Sequence, residues 1–560
     1  MAVLSAPELA LGQSLLEQGC LNRSQLLYAQ RRHEVSGGSF AGQLVRLGLV
    51  GDHAMGEAVA QSRGLSYQTA LVAGQPEAEA LALCRREICL QFHFLPLIAE
   101  AGQLTVWLGE GNPEKVADWV RRRLGLRLVC VQGPFSAVVQ AIERCYLPQR
   151  DNARESFDRE RRRLEQDSQG SLGTEPLMQA LITLAGRERA TDIHIIPDAQ
   201  SLLLAFRVDG VLSPVAAMPR ALARLVSAIK VAAGMDIADN LRPQDGRFSF
   251  EASGAVLDIR VSTAVTPHGE SVVMRLLSKG SFISGLEDLG FYVEHLPLLQ
   301  RFFTQPYGIA LMTGPTGSGK TTTLYAGLKP HGMTGKSILT VEDPVEYDLP
   351  AACQTQVNRK AGYTFDTAIR HFLRHDPDIM LIGEIRDSET AEAAMRASET
   401  GHLVLSTLHV NNVFSVPARL QSLGVSPLSI SESLIGVVTQ RLIRRLCLHC
   451  RVPDTRPESL RPASLQSRLH GHPIYQAVGC PHCRDSGYFG RVPAYELLLV
   501  DAAVSKWIAA GSGRHVLTGV LNADNHVGML DICARRLLDG DTSLDEFHRV
   551  FGVFDEMAVR

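Results

Sequence analysis

The run Gly314-Pro315-Thr316-Gly317-Ser318-Gly319-Lys320-Thr321 completes the pattern G-x-x-x-x-G-K-[ST], and the apolar stretch Ile309-Ala310-Leu311-Met312-Thr313 leads straight into it. No other feature restricts the fold as tightly. The pattern works where a buried strand delivers a glycine-rich turn to the N-terminus of a helix, so that backbone N–H groups converge on one polyanion. Leu324-Tyr325-Ala326 then continue as helix. The candidate nucleotide-binding residues are Gly314, Pro315, Thr316, Gly317, Ser318, Gly319, Lys320, Thr321 and Thr322. Lys320 reaches the transferable phosphate of a nucleoside triphosphate, and the Thr321 hydroxyl is suited to ligate Mg²⁺.

Three further apolar runs end in polar residues: Ile338–Val341 into Glu342-Asp343, Ile379–Ile382 into Gly383-Glu384, and Leu403–Leu405 into Ser406-Thr407-Leu408-His409. Unbroken apolar runs suit strands of a parallel sheet covered on both faces, whose ligands gather at the carboxyl ends of the strands. A carboxylate after the second strand can orient or deprotonate water, one after the third can hold Mg²⁺ or its waters, and a histidine after the fourth can sense the γ-phosphate. Taken singly, each would cap a strand end; together they describe an ATP-hydrolysing site.

At these residues a resemblance emerges. Val341-Glu342-Asp343-Pro344-Val345-Glu346 resembles the acidic "Asp box" of the secretion ATPase superfamily, Ile379 to Asp387 its Walker B region, and Gly401 to His409 its "His box". The superfamily comprises hexameric motors of type II secretion and type IV pilus assembly. The resemblance runs from about Leu11 to the C-terminus and implies Glu342 as catalytic base, Glu384 as Walker B carboxylate and His409 as nucleotide sensor. Upstream, Ala190-Thr191-Asp192-Ile193-His194-Ile195-Ile196-Pro197, Arg207-Val208-Asp209-Gly210 and Arg242-Pro243-Gln244-Asp245-Gly246-Arg247 resemble the small α/β domain that precedes the motor core. Thr191 and Ile196 replace the family's Ser and Glu, which puts an inter-subunit polar contact of that Glu in question. Alternation in Leu257–Ser262 and Ser271–Leu276 predicts strands, and the resemblance carries nucleotide-contacting roles onto Arg260 and Arg275. Read without it, both are ordinary surface arginines.

Cys447-x-x-Cys450 and Cys480-x-x-Cys483 supply four thiolates at the spacing of a tetrahedral Zn²⁺ site, with the intervening loop as an insertion pinned at its base. The pairs resemble the tetracysteine subdomain of assembly-type ATPases. A redox or disulfide role is the alternative. His449 and His482 lie between the cysteines but are not needed once four sulfurs fill the shell.

The net charge of −3 argues against a nucleic-acid partner, and no apolar run approaches the length of a membrane span. Eleven cysteines, an odd number, suit a reducing compartment. Near the N-terminus, Leu11, Leu15, Gly19, Leu21 and Leu26 recur as Phe40, Leu44, Gly48, Val50 and Met55 at an offset of 29, which predicts two similar helical hairpins. They resemble the tandem module that binds cyclic di-GMP in some of these ATPases. Ala10, Ser39, His33 and Ser62 stand where that version has Arg and Gln, so cyclic di-GMP is not expected here and a docking role is. In Arg150 to Asp167, 12 of 18 residues are charged; the stretch is read as a linker that buries nothing, with a solvated helix as the alternative.

The fold expected is multidomain α/β: residues 1–70 a tandem-repeat helical module, 71–148 an α/β docking subdomain, 149–170 a charged linker, 171–283 a small PAS-like α/β domain, and 284–560 a RecA-like core carrying the zinc insertion at 447–483. The resemblance implies a homohexamer using ATP, Mg²⁺ and Zn²⁺, peripheral at the cytoplasmic face of the inner membrane. Its implied partners are a membrane platform protein and a cytoplasmic docking protein. Between pilus and type II secretion machines, the segment Tyr495 to Asp501 resembles secretion ATPases more closely, whereas the long N-terminal module suits either. A nucleotide- and zinc-binding regulator without turnover is the reading from a different class.

Overall fold

The computed structural model describes residues 4–36, 39–72, 75–146, 150–167, 171–252, 255–278, 285–331, 335–349, 352–458, 461–511 and 519–552. The chain divides into two compact units, Met1–Val45 with Leu49–Phe282, and Arg46–Gly48 with Ile283–Arg560.

In the first unit the repeat becomes four helices, Ala6–Glu17, Arg23–Ser36, Phe40–Arg46 and Asp52–Arg63. The paired repeat positions Leu11/Phe40, Leu15/Leu44, Leu21/Val50 and Leu26/Met55 are all buried, which is why they recur. A four-stranded sheet follows in the order Ser66–Tyr67, Arg127–Gln132, Gln103–Leu108, Phe94–Glu100. Ser66–Tyr67 pairs in parallel with Arg127–Gln132, so this sheet begins before residue 71. The stretch read as a linker contains the helix Arg150–Glu165. It does not leave its apolar residues in water: Ala153, Phe157 and Leu164 are buried in one core with the helices Glu175–Arg187 and Arg224–Ala232. Spacings of four and seven put the three on one helical stripe, a stripe too narrow to stand out among twelve charges.

That core is roofed by a six-stranded antiparallel sheet, ordered Val211–Pro219, Ser201–Val208, Ala190–Pro197, Gly269–Ser278, Ala255–Thr266, Asp245–Ala252. Ile193, Phe206, Ile259 and Met274 point into the core, so by the period of two their neighbours Asp192, Arg207, Arg260 and Arg275 take the other face.

The second unit is built on an eight-stranded sheet, ordered Ala352–Gln356, Ile338–Glu342, Ile379–Ile382, Leu403–Leu408, Gly308–Thr313, Leu434–Leu446, Tyr488–Leu499, His526–Val527. The first six run parallel, and the last two are antiparallel additions. Gly308–Thr313, Ile338–Glu342, Ile379–Ile382 and Leu403–Leu408 are buried along their whole length, with separate apolar cores on the two faces of the sheet. This is the two-sided burial that their unbroken apolar sequences predict. Among the described residues no helix is long and apolar enough to cross a membrane.

Candidate nucleotide and metal sites

The phosphate loop joins the strand Gly308–Thr313 to the helix Lys320–Leu328. Gly314 and Gly319 have φ of 132° and 88°, in the left-handed region that side chains disfavour. A Cβ on Gly314 would also lie 2.3 Å from the Gln440 carbonyl, and one on Gly319 2.8 Å from the Gln440 Nε2. Gln440 is buried; its Oε1 accepts from Thr323 Oγ1 at 2.9 Å, so this side chain packs the loop from behind. The run Val437-Val438-Thr439-Gln440 carried no motif, and only its strand beside the phosphate-loop strand reveals the role.

Lys320 Nζ donates to the carbonyls of Gly314 and Pro315, both at 2.9 Å, which holds the ammonium within the curl of the loop. Burial lowers its pKa, opposed by the charges of Glu384 and Glu346. Ser318 Oγ is buried without a protein partner, a donor suited to a polar guest such as phosphate oxygen.

Glu384 and His409 come together: His409 Nε2 lies 3.5 Å from Glu384 Oε2, which also pairs with Arg386 at 2.6 Å. His409 is half exposed and lines a cleft of ≈ 740 Å³ with Asn411, Asn412, Phe414 and Trp507. Glu342 is differently placed. Its carboxylate is buried and accepts hydrogen bonds from Tyr325 Oη, from Thr340 Oγ1 at 2.6 Å and from Gln354 Nε2 at 3.1 Å. Three of about four lone-pair directions are taken. Glu346, exposed and four residues further along, acts with Glu384 on the charge of Lys320. In the first unit, Arg260 and Arg275 stand directly opposite one another on adjacent strands. Arg275 pairs with Asp192, Nε to Oδ1 at 3.1 Å.

The four cysteine sulfurs lie within 4.8 Å of one another. Cys447–Cys480, Cys450–Cys483 and Cys480–Cys483 are separated by 3.9, 3.7 and 3.7 Å. A ZnS₄ tetrahedron with Zn–S of about 2.3 Å has edges of about 3.8 Å, whereas a disulfide needs about 2.05 Å. The donor set therefore fits zinc in both chemistry and spacing. Backbone N–H groups of Cys480 and Gly487 donate to Cys483 Sγ at 3.2 Å each, the usual support of a thiolate knuckle. His449 and His482 pack against each other with ring centroids 4.1 Å apart and planes tilted by 45°, and neither belongs to the four-sulfur cluster.

A buried parallel sheet, a phosphate loop with its lysine, and a strand-end carboxylate and histidine meeting nearby define a P-loop ATP hydrolase, here with a tetracysteine insertion. Residues 166–549 match the family model described as type II/IV secretion system protein, and the chain belongs to that family. A second model, the MshEN domain, matches residues 64–152; this is the four-stranded α/β region and not the helical repeat before it. The type II secretion system protein HxcR of Pseudomonas aeruginosa is 45% identical over 385 residues, covering 69% of this chain and 78% of that one. The type IV pilus assembly ATPase PilB of Thermus thermophilus is 36% identical over 531 residues, 92% of this chain but 59% of its own length. The solved structure of the Legionella pneumophila ATPase DotB shares the fold, with a TM-score of 0.51 over 68% of this chain and 96% of that one at 18% identity.

Proposed function

We propose that this chain is an assembly motor of a type II secretion or type IV pilus machine. On this reading it works as a ring of six at the cytoplasmic face of the inner membrane and turns ATP hydrolysis into domain motion against a membrane platform protein. The observation that carries the reading is the grouping of Lys320, Glu384 and His409 at the carboxyl ends of adjacent parallel strands, in a chain whose relatives include both kinds of motor. The higher identity favours type II secretion, while the longer coverage favours pilus assembly, so the machine stays open between them.

In this reading Lys320 and the loop N–H groups bind the β- and γ-phosphates, with Gly314 to Thr322 as the cradle. Thr321 and Glu384 would hold Mg²⁺ or its waters, and the ion would neutralise charge on the phosphate oxygens. His409, paired with Glu384, senses the terminal phosphate. Glu342, the base that the resemblance implies, has three of its about four lone-pair directions taken by Tyr325, Thr340 and Gln354, so Glu346, exposed and close enough for its charge to act on Lys320, is proposed ahead of it as the base that faces the attacking water. Arg260 and Arg275 supply planar cations to the developing negative charge. Cys447, Cys450, Cys480 and Cys483 hold a structural Zn²⁺.

The test is phosphate release by the purified chain, read together with its mass in solution. We expect Mg²⁺-dependent hydrolysis by a species of six chains, and loss of both nucleotide binding and turnover in Lys320→Ala. A monomer that hydrolyses ATP at the same rate would overturn the ring, and a Lys320→Ala chain with unchanged turnover would overturn the site.

A further inference from the structure

Strand register in the small domain lines up a lateral row: Arg247 opposite Arg260, Arg260 opposite Arg275, Arg275 opposite Asp192, and Asp192 opposite Arg207. The row lies on the face turned away from the helices, since Phe248, Ile259, Met274, Ile193 and Phe206 fill or flank the core on the other side. Like charges directly opposite on neighbouring strands destabilise a sheet unless something else compensates them. Three adjacent arginines concentrate positive charge on this face of the sheet.

Asp192 is the single acid of the row, and it is buried at 6% exposure. Its Oδ2 accepts from Thr191 Oγ1 at 2.8 Å, its Oδ1 accepts from Arg275 Nε at 3.1 Å, and Arg207 Nε stands 3.8 Å away. Arg207 directs Nη1 to the Gly210 carbonyl at 3.1 Å, which ties it to the neighbouring turn. Arg275 differs: its side chain remains 56% exposed. A guanidinium whose Nε is held has its plane fixed, and its two terminal nitrogens then form a fork matched to a pair of phosphate oxygens.

We infer that Asp192 is the positioning residue for Arg275 in ATP hydrolysis: it holds Nε so that the terminal nitrogens meet the phosphates already oriented. The inference rests on the reading that Arg275 contacts those phosphates. It also gives Thr191 a purpose, because the hydroxyl is what holds the second carboxylate oxygen. Orientation of this kind acts on kcat more than on KM, because the contact strengthens as charge develops on the transferring group.

The experiment is a double-mutant cycle on the full-length chain, measuring kcat, KM and thermal melting for Asp192→Ala, Asp192→Asn, Arg275→Ala and the two double variants. We expect Arg275→Ala to lower kcat by about 10³-fold and Asp192→Ala by about 10²-fold with KM little changed. Asp192→Asn should fall less, since the amide oxygen still accepts from Nε. In the Arg275→Ala background either Asp192 change should cost almost nothing further, because the group it orients is gone. If Asp192→Ala slows the Arg275→Ala enzyme by as much as it slows the unsubstituted one, Asp192 is merely structural and the inference fails. If Asp192→Ala raises kcat, Asp192 restrains Arg275 and the inference also fails. If Arg275→Ala keeps full kcat, the parent reading of the arginine falls, and this inference with it. Should Asp192→Ala fail to fold, the Asp192→Asn cycle decides on the same criteria.

Discussion

Glu342 ends the strand Ile338–Glu342 and Glu346 lies four residues beyond it, and their surroundings suit them to different work. Tyr325, Thr340 and Gln354 surround the Glu342 carboxylate, and burial, followed by the charge of that carboxylate, raises the Tyr325 pKa. Such a group ties the phosphate-loop helix to the strand beside it. Glu342→Gln should therefore cost stability, about 1–3 kcal/mol for a buried hydrogen-bonded acceptor replaced in part by a donor, and lower turnover only in proportion to misfolding. Glu346→Gln should bind ATP normally, melt normally and lose kcat by about 10²-fold or more. The pair of melting curves and turnover rates checks this, and the reverse pattern would restore Glu342 as the base. The Asp box was visible in the sequence, but which of its acids faces the lysine was not, because that depends on the direction of two side chains after one turn. The phosphate loop was legible because glycine spacing and the preceding apolar strand are local. Gln440 was not, since it reaches the loop from a strand more than a hundred residues downstream.

At the scale of elements, the C-terminal helix Leu544–Phe551 and the long strand Leu434–Leu446 are locked by one acid. Glu546 is fully buried and accepts from the Arg444 N–H and Nε at 2.8 Å each, and from Arg549 Nε and Nη2 at 2.7 and 2.6 Å. Burial alone would raise its pKa; the hydrogen bonds from Arg549 and Arg444 outweigh that and hold it below the usual glutamate range. A depressed carboxylate stabilises the fold above its unfolded pKa, and that contribution disappears as pH falls through the folded value. Melting temperature should therefore drop on acidification below about pH 4.5, and Glu546→Gln should be less stable at pH 7 by about 3–5 kcal/mol and flatter in this range. The zinc knuckles make a second prediction for elements. Metal analysis should find about one Zn per chain, and Cys480→Ser or a strong chelator should release it and destabilise the insertion; stoichiometric zinc in a Cys447→Ser, Cys480→Ser double variant would refute the tetracysteine site. The cysteine spacing made that site legible from sequence alone. The buried stripe of the helix Arg150–Glu165 was not, because Phe157 is hidden among charges until its partners on the helix Glu175–Arg187 are known. Phe157→Ala should cost about 3–5 kcal/mol, far more than any surface ion pair of that helix.

For the whole molecule, the groups assigned to one reaction are divided between two units. Lys320, Glu384, Glu346 and His409 belong to the unit containing residues 283–560, whereas Arg260, Arg275 and Asp192 belong to the other. The second unit draws each of its apolar cores from its own residues, Leu286 to Phe547, so a chain starting at Ser284 has what it needs to fold and to present its phosphate loop. It lacks the guanidinium groups. Arginines that meet transition-state charge are worth about 10³-fold or more in rate and much less in ground-state binding. The truncated chain should accordingly bind an ATP analogue with an affinity close to that of the full chain, show a cooperative melt, and hydrolyse ATP slower by about 10³-fold. Full-length Arg260→Ala and Arg275→Ala should behave likewise while still assembling. On the proposed reading of Arg260 and Arg275, hydrolysis would need groups from both units, which is what a motor needs if chemistry is to be coupled to movement. A folded 284–560 fragment that turns over ATP as fast as the full chain would show that the motor unit carries its own catalytic charge and would end the coupling argument.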